Sequence, residues 1–240
     1  MWLLVWIATP VVLGIAGDGP FPLLATLGVL VQAAATLTTL ALHWPVRRVI
    51  GASIIVAVAT WLIEFAGSAT GIPFGHYDYT PALQPQAGGV PLLIPLAWLM
   101  MIGPAWGLTA LILDPHKSRL GCWRWLIFAS LAGLVFTAWD LYLDPQMVGH
   151  GLWVWQKPDG YFGIPWSNFA GWWLSAVLIT LLVRPTDLPR RHLAVIYVLT
   201  WAFQAVALSV FWEQPGPALV GFIGMGLFVV WGWNQERMTC

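Results

Sequence analysis

The sequence predicts an all-α fold: a polytopic membrane helix bundle of about eight transmembrane helices, with two long loops on one side, forming a single integral membrane domain over residues 1–240. Three observations carry this expectation. Hydrophobic residues make up 59% of the chain and charged residues 8%. Soluble domains carry roughly a quarter charged residues, so this chain cannot cover a water-facing surface. Mean hydropathy is +0.78. Finally, apolar runs near the length needed to cross a bilayer, about 20 residues, recur throughout, and the basic residues sort between them by side.

Taken in order, the spans fall at 2–16, 21–43, 46–66, 91–113, 121–142, 166–184, 192–212 and 217–233. The first is short and contains Pro10. It has neither a basic leading region nor a small-residue cleavage site, so Met1–Ala16 reads as a retained span rather than a signal peptide. Two connectors are long, 67–90 and 143–165; the rest are short turns such as Arg184–Arg191.

Basic residues set the direction. Arg47 and Arg48 follow the second span, Lys117, Arg119 and Arg124 the fourth, and Arg184, Arg190 and Arg191 the sixth, with Arg237 in the tail. All face the cytoplasm if both termini are inside a cell membrane crossed eight times. Lys157 alone lies opposite.

Composition excludes several functions. A net charge of zero argues against a nucleic-acid partner. Cys122 and Cys240 suggest neither a disulfide framework nor a zinc site. Both lysines lie in loops, which excludes a retinal-type Schiff base. His43, His76, His116, His150 and His192 are too dispersed for a membrane di-iron centre. Gly221–Gly226 lies within a span and reads as helix packing, not a nucleotide motif. Asp140 and Asp144 share a helix face, as in a diphosphate-binding prenyltransferase. That chemistry needs a second acidic cluster and basic phosphate partners, and neither is present. No metal and no cofactor are expected.

Carboxylates in or near a bilayer are costly, and their default interpretation is functional. Asp18, Asp159 and Glu213 sit at turns or span ends. Glu64 and Asp140 lie within apolar helical sequence, with Asp144 one turn further and Asp78 in the first long loop. The same segments carry Trp61, Phe74, Tyr77, Tyr79, Trp98 and Trp139, then Trp153, Trp155, Tyr161, Phe169 and Trp172. These aromatics suit either an interfacial belt with helix packing, or a pocket for a long polyene. Ring faces also attract a cation, by about 2 kcal/mol when desolvated. A carboxylic acid kept neutral by apolar surroundings can donate a proton at neutral pH. Together these devices are what protonating an isolated alkene requires. A repeated Gly-Ile-Pro turn, Gly71-Ile72-Pro73 and Gly163-Ile164-Pro165, hints at a duplicated unit facing one cavity.

Two blocks then resemble a known family. The first runs from Glu64 to Tyr79, followed by Val90-Pro91 and Pro95 to Trp98. The second contains Trp139-Asp140, Asp144-Pro145, Trp153-Val154-Trp155 and Gly160 to Trp172, including Asn168. They resemble the carotenoid biosynthesis membrane proteins that include bacterial and archaeal carotenoid hydratases. Leu83-Gln84-Pro85-Gln86 departs from that pattern, in a loop. The resemblance implies addition of water to the terminal C1–C2 double bond of an acyclic carotenoid, a cofactor-free hydro-lyase reaction of isoprenoid metabolism. Its partners would be the carotenoid, membrane lipid and other carotenoid-pathway membrane enzymes. On this view Asp140, or else Glu64, protonates C2, and a water held by Asn168, Asp144 or Asp78 attacks C1. Two alternatives stay open: a non-enzymatic membrane carotenoid or lipid carrier or transporter, and a carotenoid-modifying prenyltransferase.

Overall fold

In a computed structural model, residues 2–114 and 121–237 are described. His116, Lys117, Arg119 and Cys240 lie outside the described residues. The helices are α1 (Trp2–Ala16), α2 (Phe21–Ala41), α3 (Val46–Thr70), α4 (Leu93–Leu113), α5 (Arg124–Gly149), α6 (Trp166–Val183), α7 (Arg190–Val206) and α8 (Pro215–Arg237). Seven of them are long and apolar enough to cross a membrane; α1, at 15 residues, is shorter. The architecture is the expected all-α polytopic bundle.

Helix α4 is the central pillar. It is buried along nearly its whole length and touches α2, α3, α5, α7 and α8. Without a hydrophobic drive between helices in lipid, close backbone approach and interhelical hydrogen bonds must hold such a bundle. Both devices are present. Gly103 and Gly107, one turn apart, make a strip against α2 and α7. A Cβ on Gly103 would come within 2.6 Å of Thr36 Cγ2, and one on Gly107 within 3.1 Å of the Arg190 carbonyl oxygen. Thr36 Oγ1 donates to the Met100 carbonyl at 2.9 Å, Gln32 Nε2 to Thr200 Oγ1 at 3.1 Å, and Trp106 Nε1 to Thr180 Oγ1 at 2.8 Å. Outward, Leu4, Ile54, Leu178 and Leu227 are exposed, as expected for a surface solvated by lipid tails.

Charged turns gather at one end. Arg48 pairs with Asp187 at 3.5 Å, Arg190 with Asp114, and Arg191 with Glu236. The α2–α3 turn, the end of α4, the α6–α7 turn and the end of α8 are therefore neighbours, as an even number of crossings requires.

The opposite end carries the two long loops, which pair with each other. Strand β1 (Tyr77–Tyr79) runs antiparallel to β4 (Trp153–Trp155), with Tyr77 opposite Trp155 and Tyr79 opposite Trp153. A small hairpin of β2 (Gln86–Ala87) and β3 (Val90–Pro91) lies between β1 and α4. Helix α7 continues into a π-helical turn, Ala207–Phe211, a distortion that often marks functional sites.

Candidate active site

Strand periodicity decides which loop residues face inward. Successive side chains alternate between faces, so Tyr77 and Tyr79 point toward the bundle with Trp153 and Trp155, while Asp78 and Val154 point out. Asp78 is exposed and accepts a hydrogen bond from Gln156 Nε2 at 3.0 Å. Phe74 wedges the loop between α3 and α6. A Cβ on Gly67 would lie 2.6 Å from its ring, and one on Gly171 2.7 Å. Only glycine at both positions admits the ring.

This docking brings four helix-borne polar groups under the ribbon. Tyr77 Oη donates to Glu64 Oε2 at 2.5 Å and Tyr79 Oη to the same oxygen at 2.8 Å. Burial first, then the neighbouring Glu64, pushes the ionisation of both phenols well above the ordinary tyrosine range, so both remain donors. On α5, Asp140 and Asp144 stand one turn apart, 0% and 2% exposed. Asn168, in the first turn of α6, donates from its single amide nitrogen to Asp140 Oδ2 at 2.9 Å and also to Asp144 Oδ2. Trp153 Nε1 donates to Asp144 Oδ1 at 3.0 Å. Asp140 Oδ1 is buried without a partner among the described residues.

A cavity of about 360 Å³ opens beside this cluster. Glu64, Asp144 and Asn168 border it; so do Phe74, Tyr77, Tyr79, Trp98, Trp139, Trp153, Trp155 and Trp172. Trp98 and Trp172 stack with centroids 5.0 Å apart, and Trp139 meets Trp172 edge-on at 6.0 Å. The rest of the wall is largely apolar, chiefly from α1, α2, α4, α5 and α7.

Not every expected residue reaches the cavity. Asp140 sits behind Asp144, joined to it through Asn168. Trp61 stacks on Phe65 and donates to the Ala87 carbonyl, holding the hairpin to α3. Tyr161 donates to the Leu141 carbonyl and packs edge-on against Phe169. Asp159 is exposed and accepts from the Gly160 amide; Asp18 and Glu213 are exposed too. Sequence reasoning passed over Gln146 and Gln204, which border the cavity. Neutral carboxamides raise no charge signal, although a glutamine inside an apolar span is itself a cue. Among the described residues no three His, Cys, Asp or Glu side chains are grouped to hold a metal ion.

Fold and site together define a multi-pass α-helical membrane protein with a buried acid cluster on an aromatic cavity. The chain belongs to the family of carotenoid biosynthesis proteins, whose sequence profile matches residues 21–228. It is also similar to the bisanhydrobacterioruberin hydratase of Haloarcula japonica, 32% identical over 137 residues. That match covers 57% of this chain and 45% of the relative, so the chain spans under half of the relative's length. No solved structure matches it.

Proposed function

We propose that the protein hydrates an acyclic carotenoid end group, adding water across its terminal C1–C2 double bond. The observation that carries this is the contact of Asp144 with an aromatic cavity while Asn168 ties it to Asp140. Two like charges held so close in an apolar site do not both ionise, so one proton shared by the pair is available for donation. Of the two, Asp144 borders the cavity and hands the proton to C2. The tertiary cation at C1 rests against the faces of Trp98, Trp139 and Trp172, and water captures it. Glu64, held by two phenols, fixes the loop and the field around the cation. The named relative, a hydratase, supports the reaction class. The arrangement of basic turns supports an orientation with both termini in the cytoplasm and the site near the outer face.

The test is expression in cells that accumulate an acyclic carotenoid. The expected product is heavier by one water, carries a tertiary hydroxyl, and forms without oxygen and in the presence of EDTA. An oxygen-dependent product, or a polyene bound but unchanged, would overturn the proposal.

A further inference from the structure

Apart from Asp140 Oδ1, which lies behind Asp144 rather than on the cavity wall, the polar atoms of the acid cluster that the structure pairs are bonded within the cluster or to the ribbon. Both hydrogens of the Asn168 amide go to the aspartates, Asp144 receives Trp153, and Glu64 receives two tyrosines. The cavity nevertheless has other polar side chains. Gln146 and Gln204 border it, 4% and 5% exposed, and the carboxamide oxygen of each is buried without a partner among the described residues. The Trp212 indole nitrogen, also on the cavity wall, is likewise unpartnered.

Leaving such groups unpaired is costly, so their natural occupant is something that both donates and accepts hydrogen bonds. Their placement is built, not incidental. At roughly 100° per residue, Asp144 and Gln146 lie about 160° apart on α5, on either flank of the Leu143–Met147 strip that lines the cavity. Gln214 Nε2 donates to the Pro145 carbonyl at 3.0 Å, which pins the turn carrying Trp212 to α5 next to the position of Gln146 in the chain. The π-helical turn begins three residues after Gln204. A buried water is held where a roomy site offers two to four polar partners; Gln146, Gln204 and Trp212 put three unpartnered polar atoms on the wall of one cavity.

Resting on the hydration proposed above, we infer that Gln146 and Gln204 seat the water that captures the cation, on the flank of α5 away from the acid. Asp144 gives its proton to C2 as the alkene's π pair forms the new C–H bond. A lone pair of the seated water forms the C1–O bond. The resulting protonated alcohol sheds one proton, the emptied carboxylate regains one, and the sum is alkene plus water giving the tertiary alcohol.

The experiment uses membranes containing the full chain, supplied with an acyclic carotenoid in D2O, and follows two products by mass spectrometry. One is the hydrated carotenoid. The other is recovered alkene carrying deuterium, formed when the cation loses a proton instead of meeting water. Gln146→Met and Gln204→Met keep bulk and remove polarity. Each is expected to lower hydration at least about tenfold, the scale of one lost hydrogen bond, while deuterium exchange persists. Gln204→Glu, which retains an acceptor, should recover part of the hydration. Unchanged hydration in the double Met variant overturns the water seat and leaves the hydratase function standing. Loss of exchange together with hydration in a variant that still binds polyene also overturns it. If the unaltered protein gives neither hydration nor exchange, the hydratase function itself fails.

Discussion

Tyr77 reaches from a loop strand to a transmembrane helix and donates its phenol hydrogen to Glu64 across 2.5 Å. Its ring packs 5.0 Å from that of Trp155 on the partner strand. One side chain therefore joins α3, the first long loop and the second. The cap formed by the two loops is a structural part of the site rather than a covering over it.

Tyr77→Phe keeps the ring and removes the donor. A buried acceptor that loses one partner costs about 1–3 kcal/mol, and Tyr79 still serves Glu64, so the lower half of that range is expected. Thermal unfolding in detergent, followed by tryptophan fluorescence, measures it. No shift in either Tyr77→Phe or Tyr79→Phe would mean that Phe74 and the ribbon hold the cap alone.

Asp144→Asn and Asp140→Asn separate the group facing the cavity from the one behind it. Loss of a general acid lowers turnover by about 10²-fold or more, and Asp144→Asn should show that. Asp140→Asn should fall less, since Asp144 can still carry a proton. Asp159→Asn, on the exposed turn, should leave turnover unchanged. A larger loss in the Asp140 variant would reverse the order of the two acids.

His150 stacks on Phe21, centroids 3.5 Å apart. Burial lowers its pKa below the ordinary 6.5, with Asp18 opposing in part. The unfolded chain thus binds a proton before the folded one does as pH falls. Stability contributed by this contact is complete above about pH 6.5 and declines below it. His150→Phe should flatten that decline in unfolding curves taken between about pH 5 and 7.5. An identical slope in both proteins would assign the pH dependence to other groups.

The orientation is open to direct measurement. Reporters fused after Arg48 or Arg191 should read cytoplasmic, and reporters inserted near Gln86 or Lys157 should read external. The opposite result at two of these sites would place the acid cluster on the cytoplasmic side.

Much of the fold was legible because apolar length and basic residues carry membrane topology directly. The second span was expected at 21–43 and ends at Ala41; the fourth was expected to end at 113 and does so. Two of the larger differences fall at the buried acids. Helix α3 runs to Thr70 rather than 66, and α5 to Gly149 rather than 142. Hydropathy treats a carboxylate as an exit from the membrane, yet Asp144 is absorbed into the helix by Asn168 and Trp153 from other segments. The same limit hid the ribbon. Tyr77-Asp78-Tyr79 and Trp153-Val154-Trp155 show the aromatic alternation of an inward face, but three residues give too short a period to read alone. Their pairing, across 74 or more positions, is what turns Asp78 outward.

The ion pairs of Arg48, Arg190 and Arg191 lie at one end of the bundle, while the other end is closed by phenols, indoles and a single amide. Ionic strength therefore addresses the two ends unequally. Added salt screens partly exposed pairs and loosens the turns that carry them. Short buried hydrogen bonds to Glu64 and Asp144 are nearly indifferent to it. A salt titration becomes a way to soften one end of the molecule while holding the other fixed. The hydrogen bonds that hold Glu64 and Asp144 should persist at salt concentrations that loosen the turns of Arg48, Arg190 and Arg191.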